Sequence, residues 1–158
     1  MVYDRSYVVE KKQDLVETLF GLSLPAQKQW ELVGPPFPGE ELMVDLYTYY
    51  DEMKTDYLHY GILEPEQCHC LDKLVAELEG RQKLEDAETF FLDPSQLETN
   101  EGWDIIRAMA KAALAALGYD SEKMKGVAEV ELTTSGGKEV AIHRWRIVDG
   151  LESPDPES

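Results

Sequence analysis

The sequence predicts an α+β fold: a mostly helical bundle with a C-terminal β-hairpin. Three observations lead there. Apolar residues recur at threes and fours through most of the chain up to Leu117, the spacing of helices with one buried face. The segment "GVAEVELTTSGGKEVAIHRWRIV" then changes to strict alternation around Ser-Gly-Gly, the period of a strand pair with a tight turn. Prolines and glycines punctuate the chain between these runs. The 158 residues suit one domain with a real core, and we place it at residues 1–149. The remainder, 150–158, reads "GLESPDPES" and is expected to be an acidic, disordered tail.

Each element has its own signal. In "YVVEKKQDLVETLFGLSL", Tyr7, Val8 and Val9 favour a short strand, and Tyr7–Glu10 is a candidate third strand for the hairpin, which is not stable alone. From Asp14, the spacing of Leu15, Leu19 and Leu22 predicts a short helix bounded by Pro25. "QKQWELVG" predicts a further turn or two. Three prolines within Pro35–Pro38 then break the chain. "EELMVDLYTYYDEMKTDYLHYG" carries Leu42, Leu46, Tyr49, Tyr50, Met53, Tyr57 and Tyr60 at helical spacing, and predicts one long amphipathic helix stopped by Gly61. Glu64 as cap and Pro65 in the first turn start the next helix, with Leu71, Leu74, Val75 and Leu78 as its stripe. The short link between the two predicts an antiparallel helical hairpin.

"RQKLEDAETFF" is read as a polar connection ending in two aromatics. "DPSQLE" predicts a single helical turn capped by Asp93. Thr99 or Asn100 caps "EGWDIIRAMAKAALAALG", whose stripe is Trp103, Ile106, Ala110, Leu114 and Leu117, ended by Gly118. In the hairpin, a turn at Gly136 and Gly137 sets Leu132 opposite Ala141, Val130 opposite His143 and Ala128 opposite Trp145. These share an apolar face with Ile147, while Glu129 and Arg144 oppose each other on the other face.

Composition bounds the function. Thirty-two acids against 15 bases give −17. Such a field repels nucleic acid and anionic membranes and attracts basic surfaces; acidity for solubility alone is the competing explanation. No apolar run reaches membrane-spanning length, and "MVYDRSYVVEKKQDL" lacks a signal-peptide layout. The two cysteines, one residue apart, staple nothing and agree with a reducing compartment. A cytoplasmic protein is expected.

Several groups of residues bear on chemistry. In "EPEQCHCLDK", Cys68, His69 and Cys70 combine thiols and imidazole. On a helix, residues two apart point about 200° from each other and do not converge on one ion. We expect Cys68 and Cys70 to flank the apolar stripe as small hydrophobes, with His69 on the wet side. His143 is read as an inward-facing histidine beside Trp145, since nothing near it in sequence resembles a nucleophile or partner carboxylate. The chain contains no G-x-S-x-G, phosphate loop, H-E-x-x-H or EF-hand loop. Helix-borne acids such as Glu66, Glu77 and Glu79 read as solvated faces. No catalytic residue, metal or cofactor is expected.

The tyrosine-rich helix offers a surface instead. Glu41, Asp45, Glu52 and Asp56 recur at helical spacing, with Tyr47 off the centre of the core side. Aromatics bordered by carboxylates suit a cationic protein partner; a solvated acidic face is the plain alternative.

Two stretches, "DLYTYYDEMKTDYLHYGILEPEQCHCLDKLVAEL" and "WDIIRAMAKAALAALGYD", resemble the small acidic immunity proteins that accompany bacterial polymorphic or contact-dependent toxins. The resemblance spans about residues 40–120 and lies in the order of the helices and the composition. It carries over no individual functional residue and does not include the hairpin. It implies a cytosolic, non-enzymatic protein that binds one cognate toxin with a basic surface and blocks its active or cofactor site. Two other classes remain open: a regulatory or assembly subunit, and a small metal-dependent enzyme using His143 or the Cys-His-Cys stretch.

Overall fold

The computed structural model describes residues 3–151. Most of the acidic tail, residues 152–158, lies outside the described residues, as do the side chains of Ile142 and His143. Gly150 and Leu151 are described, and Leu151 packs against the core.

The first helix, α1 (Arg5–Ser23), begins nine residues earlier than the Asp14 start read from the sequence. Val8 is buried with Leu15, Leu19 and Leu22. Intervals of seven, four and three place these residues on one helical face. Burial of Val8 on that face overrides the strand preference of Tyr7, Val8 and Val9. The third strand at Tyr7–Glu10 is therefore corrected: the sheet has two strands among the described residues. Helix α2 (Ala26–Leu32) follows and buries Gln29, whose side-chain amide donates to the carbonyls of Gly21 and Leu22.

The long tyrosine-rich helix is three pieces. Helix α3 spans Pro38–Leu46, a π-helical turn spans Tyr47–Asp51, and α4 spans Lys54–His59. The Glu52 N–H reaches back five residues to the Tyr47 carbonyl at 3.0 Å. One extra residue in a turn rotates everything after it by about 100°, one helical step. With that rotation Tyr50, Met53 and Tyr57 all enter the core behind Leu42 and Leu46.

Gly61, at φ +64°, ends α4, and α5 (Pro65–Gln82) starts as expected. The Glu64 N–H donates to the Gln67 side chain at 2.7 Å, and Cys68, Leu71, Leu74, Val75 and Leu78 are buried. The connection read as polar contains a short helix, α6 (Ala87–Leu92), which buries Phe90 and Phe91. Phe90 stacks on Trp103 with ring centroids 4.7 Å apart, and Phe91 meets the same indole edge-on. The indole N–H donates to the Phe90 carbonyl. Helix α7 (Ser95–Thr99) is capped by Asp93, and α8 (Glu101–Ala116) by Asn100, whose side chain accepts from the Gly102 N–H at 2.8 Å. Helix α8 packs between α1 and α5 and forms the centre of the bundle.

The hairpin, β1 (Lys125–Ser135) and β2 (Lys138–Asp149), keeps the expected register: Ala128 pairs with Trp145, Val130 with His143 and Leu132 with Ala141. Gly136 and Gly137 have φ of 60° and 79°, the positive pair that a type I′ turn requires. Glu129 opposes Arg144 in the ladder, yet the ion pairs run diagonally, Arg146–Glu129 at 3.3 Å and Arg144–Glu131 at 4.0 Å.

Only the base of the hairpin covers the bundle. Ile147 is buried, and the Trp145 ring lies over Gly21, where an added Cβ would come within 3.1 Å of it and 2.7 Å of Leu42. Val130 and Leu132, on the same face nearer the turn, are 64% and 68% exposed. The hairpin is anchored at one end and projects at the other.

Candidate functional site

Charge is unevenly divided. Residues 1–124 hold 25 acids and 11 bases, a net −14, whereas residues 125–149 hold four of each. The helical body therefore carries the negative field.

Its most constrained acids lie between α1 and α3, which pack together. Asp45 is half-buried and has neither a cation nor a hydrogen-bond donor among the described residues. Burial, then the charges of Glu41 and Asp14, push its carboxyl up to about 6. Glu17 is raised first by burial and then by Asp14, against the opposing effects of the Ile147 N–H and Arg146. Tyr49 sits over the same group, its hydroxyl raised by burial and by Asp45 and Asp14. Lys11 pairs with Asp14 at 3.2 Å and lies over the Tyr7 and Tyr49 rings at 5.1 and 5.4 Å. Asp14, Glu17 and Asp45 thus converge on Tyr49, with Glu41 beside Asp45.

The five residues expected to contact a partner separate in space. Glu41 and Asp45 lie one turn apart on α3 and join this cluster. Tyr47 opens the π-helical turn and faces α5, donating to the Gln82 side chain at 3.0 Å; burial, then Glu79 and Asp51, raise its hydroxyl. Glu52 is exposed beyond the π-helical turn. Asp56 is corrected as a contact residue: it is 4% exposed and accepts a 3.1 Å hydrogen bond from the Tyr3 N–H. The π-helical turn is the physical reason, because its added rotation takes Glu52 and Asp56 off the row begun by Glu41 and Asp45. Asp14 and Glu17 were not singled out in the sequence. They join the site through contact of two helices about 30 residues apart, which local spacing does not encode.

The tyrosines behind this surface are structural. The Tyr50 hydroxyl donates to the Asp72 carboxylate at 2.5 Å, with the Cys68 carbonyl 3.1 Å from the same oxygen, and Lys54 completes the set on Asp72 at 2.9 Å. Burial opposes the charge on Asp72, but the bonds from Tyr50 and Lys54 outweigh it and hold the carboxyl below its usual range. The Tyr57 hydroxyl donates to the Tyr49 carbonyl, which closes the π-helical turn over the core.

The Cys-His-Cys stretch follows its helix. Cys68 is buried, Cys70 packs at the core edge and His69 is exposed. Among the described residues no three His, Cys, Asp or Glu side chains are grouped to hold a metal ion. His143 is placed by its backbone, opposite Val130; its side chain lies outside the described residues. No helix among the described residues is long and apolar enough to cross a membrane.

Neither a protein-family model, nor a curated protein, nor a solved structure matches this chain.

Proposed function

We propose that this chain is an inhibitor of the immunity type, which docks the acid-rich side of α1 and α3 on a basic surface of one cognate protein toxin in the bacterial cytoplasm and so occludes the toxin's site. One observation carries the assignment: Asp45, half-buried beside Glu41 and Asp14 with no cation of its own. A fold gains nothing from crowding like charges in a partly dry place. A partner's lysine or arginine supplies the missing counter-charge, so the unfavourable energy of the free protein is recovered on binding. Tyr49 adds aromatic surface of the kind that dominates protein interfaces. The net −14 of the body steers a basic partner during approach.

The test is association kinetics with the product of the adjacent gene, paired with a growth-rescue assay. The triple variant E17Q/E41Q/D45N is expected to associate about tenfold more slowly than wild type at low salt, with the difference shrinking as salt screens the field. Equal association rates at low salt refute the acidic docking face.

A further inference from the structure

Beside the acid cluster, α1 carries a strip of aromatic surface that the core does not use. Tyr7, Lys11 and Asp14 follow one another at intervals of four and three, which sets them on one face of the helix. Tyr3 and Tyr7 are 44% and 40% exposed, and their rings stand 4.8 Å apart, tilted by 35°. Tyr3 lies ahead of α1, yet α4 and the residue after it pin its backbone on both sides. Its N–H donates to the buried Asp56 carboxylate at 3.1 Å, and its carbonyl accepts from the Tyr60 hydroxyl at 2.5 Å. Fixing a backbone opposes folding, and here two bonds fix a residue whose ring is nearly half exposed.

The rings of this strip already hold a cation. The Lys11 ammonium lies over both Tyr7 and Tyr49 while it pairs with Asp14. A positive charge is thus held by ring faces and a carboxylate together. At the other end of the strip Tyr49 stands beside Asp45, which has no cation of its own.

We propose that Tyr3, Tyr7 and Tyr49 make the docking face select arginine over lysine, so that the partner presents arginine side chains to it. This inference rests on the reading of α1 and α3 as the docking face. A guanidinium is flat and more weakly hydrated than an ammonium, so it can lie against a ring and still form two parallel hydrogen bonds to a carboxylate. Asp45 beside Tyr49 offers both contacts to one side chain, and the exposed Tyr3–Tyr7 pair offers a ring surface to a second. Charge fixes the sign of the occupant. Residues 1–124 carry −14, a field that repels a phosphate-bearing partner and draws a basic one. Speed and selectivity then have separate sources: the acids set how fast a basic partner arrives, and the rings set how long an arginine stays.

The experiment is binding of octa-arginine and octa-lysine to the full chain, followed by fluorescence anisotropy at physiological ionic strength. Wild type is expected to bind octa-arginine at least about fivefold more tightly than octa-lysine. Y3L/Y7L keeps apolar bulk and removes two ring faces. It should bind octa-lysine as wild type does and lose at least about threefold in affinity for octa-arginine. Its thermal midpoint should stay near that of wild type, because both side chains are exposed and the backbone bonds of Tyr3 are kept. E17Q/E41Q/D45N should weaken both peptides together. A wild type without preference between the peptides, or a Y3L/Y7L variant that keeps full affinity for arginine or loses both peptides equally, overturns the arginine strip and leaves the acidic face standing. Peptides held as tightly by E17Q/E41Q/D45N as by wild type overturn the acidic face, and this inference with it.

Discussion

Replacing Asp45 with asparagine should stabilise the free protein and weaken its proposed complex. The carboxyl is pushed from 3.8 to about 6 by burial, Glu41 and Asp14. A displacement of that size corresponds to about 3 kcal/mol at most, at roughly 1.4 kcal/mol per pH unit. Asp45 is half-buried, and solvent screening reduces the usable part to about 1–2 kcal/mol. The sign follows from linkage. An acid whose folded pKa lies above its unfolded value favours the native state while protonated; that contribution is complete below about pH 4 and is lost as pH rises through about 6. Asparagine removes the charge without changing the shape. D45N should therefore exceed wild type by about 1–2 kcal/mol at pH 7.5 in urea unfolding, with the thermal midpoint raised by several degrees. At pH 3.5 the two proteins should coincide. An equal stability at pH 7.5, or a gain that persists unchanged at pH 3.5, refutes the account of Asp45 as a crowded, unpartnered charge.

Two structural predictions accompany it. Y50F removes the hydroxyl that bridges Asp72 and the Cys68 carbonyl and should cost about 1–2 kcal/mol, measured by chemical denaturation at neutral pH. N100A deletes the cap of α8 and the bond from the Asn100 amide to Gln96; about 1 kcal/mol should be lost, visible as a lower thermal midpoint with unchanged helicity before the transition.

Local signals located most elements of this fold. Helix α8 was legible because its stripe, its Asn100 cap and Gly118 are all short-range features. Helix α5 was legible through Glu64, Pro65 and the leucine spacing. The hairpin register was legible to the residue because alternation with a period of two and a Gly-Gly turn leave little freedom. The misread places share a cause. Val8 is β-branched in a β-branched neighbourhood, and only its burial with Leu15 and Leu19 draws it into a helix. Phe90 and Phe91 look like the end of a polar loop until the Trp103 ring is found beside them. The π-helical turn at Tyr47–Asp51 has no sequence mark apart from a run of tyrosines, yet it decides which carboxylates share a face.

By itself, then, the sequence determined an acidic α+β chain, its α5 and α8 helices, a hairpin in defined register and a helix that seats Cys68 inward and His69 outward. These depend on side-chain periodicity and on capping and turn chemistry, which act over a few residues. Tertiary structure alone decided that Asp14 and Glu17 crowd Asp45, that Asp56 turns in to hold the Tyr3 N–H, and that the hairpin overhangs the bundle instead of lying on it. Those outcomes depend on which helices meet and how far a strand outruns its support, and both are settled by packing between segments distant in the chain.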